Sequence, residues 1–286
     1  MSGAAAVRPT ASGDAGPPTA GPTLRRAVAA EAVRVTGLRS TAATATTAVG
    51  VSGVLTVLFA GSSAGDPGFD PTRHLTEAAP LTAVVLLVLG VQLATAEHRT
   101  GAFRTTYVAV PRRLLVLAAR VVTTTLLAGL VALAAVAAGV VGVLPAAASR
   151  GMDPDLLGDG VPAELAASGL LLVAMALVGL GLGSLLRRPV PALVTALGLV
   201  LVLPVLLGVA VDAATGPPTA WSAPSAQDVG GRLALDPVDA GGQLAEAASG
   251  STAVPGGLAG PSAVLACWVL VPLAGAAVRL RRADLC

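Results

Sequence analysis

Long unbroken apolar runs alternate with short charged ones along this chain, and the run lengths predict its elements. Leu81–Ala96 and Leu114–Leu144 are apolar nearly throughout, and a charged island, Glu97–Arg113, separates them. Several runs reach the roughly 20 residues that the hydrocarbon core of a bilayer requires. They are continuous and rich in Ala and Leu, whereas membrane strands alternate in segments of about ten. The pattern therefore predicts an all-α integral membrane protein with six transmembrane helices, at about 41–61, 78–96, 121–143, 165–186, 190–211 and 258–278. The third run exceeds the length of one crossing, so Leu114–Ala119 is assigned to the helix before it. Pro204 and Pro272 fall inside the fifth and sixth spans, and residues 212–257 read as a long Gly/Pro/Ser loop.

Two segments have a different period. In 23–40, Leu24, Val28, Ala32, Val35 and Leu38 line one side of a helix, with Arg25, Arg26, Arg34 and Arg39 available to headgroups, although Val33 falls among the polar positions. This predicts an N-terminal interfacial helix. In the island, Phe103, Tyr107, Val110, Leu114 and Leu117 recur at helical steps while Arg99, Arg104, Arg112 and Arg113 supply a wet side. It reads as a basic amphipathic helix at the membrane surface between spans 2 and 3. Residues 1–22 are almost wholly Ala, Gly, Pro, Ser and Thr. They cannot bury a core, so a disordered tail is expected, and without a central apolar region they do not make a cleavable signal peptide. The six-span domain is placed at 23–286.

Composition sharpens this picture. Charged residues make up 12% of the 286-residue chain, about half of what soluble domains carry. The 18 basic residues are all arginine. The phosphate loop of a nucleotide hydrolase ends in Gly-Lys-Ser/Thr, its lysine reaching the terminal phosphates, so a lysine-free chain excludes that loop. A net charge of +2 gives no reason to expect nucleic acid. Apart from Arg73, Arg150 and Arg232, every arginine falls on the side of the predicted spans that also holds both termini and the island. Basic segments stay cytoplasmic, so the termini and the island are expected inside, in the cell membrane.

The predicted spans hold no ionisable group at mid-depth. Arg120 and Asp212 stand at their ends, where such side chains reach the interface. Gln92, Thr123, Thr124, Thr125, Thr195, Ser52 and Thr56 remain as polar positions, read as interhelical hydrogen bonds, with Gln92, Thr123 and Thr124 the candidates for contact with a cargo. Gly179 and Gly183, with Gly181 between them, mark close helix approach within one chain or, alternatively, a dimer contact. His74 and His98 are assigned to opposite sides of the membrane, so they cannot pair on a metal, and Asp153 with Asp155 lacks the glycine and closing glutamate of a calcium loop. No catalytic, cofactor or metal residue is assigned, and the chain is not expected to be an enzyme. Cys267, in an apolar run, is expected to be buried.

At Glu97-His98-Arg99-Thr100-Gly101 and Val110-Pro111-Arg112-Arg113 the chain resembles the permease subunits of ABC-2-type transporters, particularly actinobacterial ones. Gly181–Arg187 is similar to that family's small-residue stretch at the cytoplasmic end of the fourth span. Arg281-Arg282-Ala283-Asp284 is similar to its terminal Arg-Arg-Asp with an alanine inserted. The resemblance covers roughly 23–286. It implies a permease that exports in the family's manner as a homo- or heterodimer, on two copies of a separate ATP-binding subunit that holds the ATP. The island is then the coupling helix. Glu97, Arg99, Gly101, Phe103, Arg104, Tyr107, Pro111, Arg112 and Arg113 form the interface to the ATPase. Lipid attracts the same arginines. The rival reading is a membrane scaffold or assembly protein that transports nothing.

Overall fold

The computed structural model describes residues 23–37, 39–100, 113–204, 206, 236–250 and 257–282, with the backbone alone for 97–100, 113 and 282. The described residues are helical and include no strand. In chain order the helices are α1 (Leu24–Thr36), α2 (Arg39–Ser63), α3 (Ala79–Thr100), α4 (Arg113–Ser149), α5 (Val161–Leu186), α6 (Pro189–Leu197), α7 (Pro237–Ser249) and α8 (Ala259–Arg282). Among them α2, α3, α4, α5 and α8 are each long and apolar enough to cross a membrane, as a multi-pass membrane protein requires. α6 runs into a π turn, Gly198–Val202, which closes with the Leu203 amide on the Gly198 carbonyl. Pro204 follows at once, and it cannot donate to a regular helical ladder. Most of the second half of the predicted fifth span, 207–211, lies outside the described residues, as do 1–22.

Glycines set how the helices meet. A Cβ built on Gly90 of α3 would stand 1.9 Å from the Ala176 carbonyl oxygen, and one on Gly179 of α5 would stand 2.1 Å from that of Leu87. One turn on, a Cβ on Gly183 would stand 2.6 Å from the Ala94 methyl. Only hydrogen fits there, so backbone lies against backbone along this seam. Gly181, on the other side of α5, lies 2.7 Å by the same measure from Pro272 of α8. A second seam joins α2 to α4. There a Cβ on Gly142 would be 2.7 Å from the Gly53 carbonyl oxygen, and the Ser52 hydroxyl donates to the Ala135 carbonyl at 2.7 Å. Leu86, Leu87, Leu89, Leu172, Met175 and Val178 form the centre of the core.

Several expectations are corrected. Leu114–Ala119 does not belong to a separate surface helix: α4 is continuous over 37 residues, about 55 Å at 1.5 Å per residue, against a hydrocarbon core of ~30 Å. Nothing in its first turns breaks a helix, so the ladder runs on. Arg120 does not reach an interface. It is 5% exposed and its Nε lies 3.7 Å from Glu31 Oε1 of α1. α1 thus packs its Glu31 and Val35 side on α4, with Arg34 also paired to Glu31. Cys267 is exposed on α8. The loop predicted over 212–257 contains α7, capped by Asp236 at its start and by Gly250 (φ 70°) at its end. Gly241 lets α7 sit directly on Leu171 of α5, and that contact outweighs the cost of about 1 kcal/mol for glycine inside a helix.

The connection from α2 to α3 is also ordered. Asp70 Oδ1 accepts from the Thr72 amide at 3.0 Å and its hydroxyl at 2.7 Å, opening a short 3-10 turn over Pro71–Leu75. The Thr72 hydroxyl chiefly holds the Asp70 carboxyl below its ordinary pKa, burial opposing it. Phe69 and Leu75 then cover Ala60, Val143, Ala146 and Ala147.

Candidate functional site

The predicted coupling site is bounded, and not described, by the structure. Glu97 and Arg99 lie in the last turn of α3, which runs on to Thr100. Arg113 opens α4. Gly101, Phe103, Arg104, Tyr107, Pro111 and Arg112 lie outside the described residues, in the 101–112 segment that joins the two helices. That segment therefore connects one member of each glycine seam, α3 from the α3/α5 pair and α4 from the α2/α4 pair.

Around the foot of α4 the described side chains make a polar cluster. Arg120, Thr123 and Thr124 fall within 4 residues of one another and are 5%, 5% and 3% exposed. Glu31 reaches Arg120 from α1, and Arg34 joins the same carboxylate. The buried Thr123 Oγ1 has no hydrogen-bond partner among the described residues. Glu31 was missed in the sequence, where the signal was one acid among the arginines of 23–40. Its pairing with Arg34 is local to α1, but its reach to Arg120 is not, and a buried guanidinium is tolerated when a carboxylate meets it.

Gln92 is placed otherwise. It is half-buried and accepts from the Thr44 hydroxyl at 3.0 Å, tying α3 to α2 much as interhelical polar groups do elsewhere. Thr123 and Thr124 lie about three turns of α4 before Ala135, whose carbonyl accepts from Ser52. Gly179 and Gly183 face α3 within this chain. The α5 terminus beside them is closed by Arg187 (φ 58°), whose amide donates to the Gly183 carbonyl at 2.9 Å. Arg279 of α8 donates to the Leu185 carbonyl, a cation where the helix dipole is negative.

No protein-family model matches the chain, and no curated protein matches it. The described residues include no group of three or more His, Cys, Asp or Glu side chains able to hold a metal ion. His74 Nδ1 lies 2.8 Å from Glu77 Oε2, its ring stacked on Phe69 at 5.4 Å. With Thr76 donating to Glu164 at 2.7 Å, these groups tie the α2–α3 connection to the start of α5. What the arrangement offers is mechanical: two interlocked helix pairs with an arginine-rich connection between them.

Proposed function

We propose that this chain is the membrane-spanning permease subunit of an ATP-driven exporter, working as a dimer and energised by a separate ATP-binding subunit. The observation that carries the reading is the position of the arginine-rich segment. It joins the end of α3 to the start of α4, so a partner gripping it pulls on both seamed pairs at once. The lysine-free chain supports a separate engine, since it lacks the residue a phosphate loop requires. Arginine placement supports a cytoplasmic site for the segment and both termini. Arg99, Arg104, Arg112 and Arg113 suit bidentate pairing with carboxylates of the partner.

Co-purification with any ATP-binding subunit that a neighbouring gene encodes tests the proposal. The reading predicts a complex that holds ATP on the partner subunit. Arg104→Glu with Arg112→Glu is expected to lower the co-purifying ATPase about tenfold or more, as loss of about 1.4 kcal/mol would, with membrane insertion unchanged. Absence of any ATPase under all nucleotide conditions contradicts the reading and favours a scaffold.

A further inference from the structure

The α2/α4 seam leaves a furrow on its outward side. Gly50, Ala134 and Ala137 carry little or no side chain there, while Val54, Leu58 and Val141 stand exposed as its banks. The furrow is an open trough of about 730 Å³. A Cβ on Gly50 would have nothing within 4 Å, so the space is not filled by this chain's described residues. On α2 it runs from Val49 to Leu58, about 14 Å at the helical rise and close to half of a ~30 Å hydrocarbon core.

One end of the furrow carries a cation. Pro145 lines it, and five residues further along the same strand of chain Arg150 follows the end of α4. Arg150 is exposed, and its guanidinium donates to the Asp66 carbonyl just beyond the end of α2. The side chain therefore spans the exits of the two helices that form the furrow. That bond uses one of the five N–H donors of a guanidinium.

We infer that this furrow holds the acyl chains of a phospholipid whose phosphate is bound by Arg150. An apolar length of one leaflet with an exposed arginine at its mouth complements an amphiphile bearing an anion. A second copy of the chain fits less well. A two-fold contact sets the same patch against itself, so a second copy would offer this seam another apolar face and no new anion for Arg150, whereas a phospholipid brings both. The site is independent of the transport reading and of which way the bundle faces.

Native mass spectrometry of the full chain in detergent, with phosphatidylglycerol or the matched diacylglycerol added, tests the site. The expected result is one phosphatidylglycerol retained per chain, with the phosphate-free lipid retained about tenfold less. Arg150→Gln brings phosphatidylglycerol down to the diacylglycerol level. Gly50→Phe fills the furrow from an open position and removes both lipids without lowering the melting temperature. Should that variant misfold, Ala137→Leu narrows the same space and is expected to reduce both. Equal retention in wild type, Arg150→Gln and the furrow-filling variants would mean an unselective lipid annulus and overturns the proposal. So does an Ala137→Cys cross-link between copies with no lipid bound.

Discussion

The α3/α5 and α2/α4 pairs use the same device, glycine against a carbonyl, and bury it to different extents. In the most apolar stretch of α5, 67% of residues are buried inside the bundle, whereas in that of α2 the share is 17%. Along α3/α5, the seam at Gly90, Gly179 and Gly183 is backed by further protein, Pro272 of α8 lying against Gly181 and α7 sitting on Leu171. Along α2/α4, the seam at Gly53 and Gly142 is backed on one side by open space. A close helix approach thus says nothing by itself about whether a region is interior. The residues flanking the seam decide that.

This contrast is open to attack by mutation. The largest effect is expected at Gly179→Leu, which must push α5 off the Leu87 carbonyl. Overpacking of this kind costs about 3 kcal/mol or more, read as loss of a monodisperse species in size-exclusion thermostability assays. Gly50→Leu, on the exposed pair, is expected to be neutral or stabilising in the same assay, and a large loss there would abolish the distinction. Between these lies Glu31→Ala, which removes a carboxylate from the buried Arg120. It should destabilise by about 2 kcal/mol, and Arg120→Leu in the same chain should recover part of the loss. Ser52→Ala removes the 2.7 Å bond across the second seam and is expected to cost about 0.6 kcal/mol.

The smallest effect concerns α7, which covers the buried pair. Burial pushes the Asp236 carboxyl above its ordinary range despite its bond from the Val238 amide. A raised folded pKa means that this group's contribution to stability is complete below the unfolded value of about 3.9 and is lost as pH rises through the folded one. Asp236→Asn keeps a capping oxygen without the charge. It should raise the melting temperature slightly at pH 7 and leave it unchanged at pH 3.

How much of this was readable from residues alone depends on the physics involved. Helices α2, α3, α4, α5 and α8 were legible because a long apolar run has one cheap arrangement in lipid, a helix that satisfies its own backbone. The small residues at Gly179 and Gly183 were legible as close contacts, but the sequence left a dimer open where the structure places α3. α7 was hidden, since Gly241 and Gly242 weigh against a helix until Leu171 is there to receive it. Arg120 was misread for a related reason: position along the chain puts it at a span's end, and only the fold brings Glu31 to it. Local pattern reports the solvent a segment needs; it does not report which neighbour arrives.

The most direct measurement is sided labelling of Arg104→Cys in a background lacking Cys267 and Cys286. A membrane-impermeant maleimide applied to intact cells and to inverted vesicles reads which side the 101–112 segment occupies. Labelling in inverted vesicles alone is the predicted result, with the segment available to a cytoplasmic ATPase. Labelling in intact cells alone would put it on the outer face and contradict the proposal.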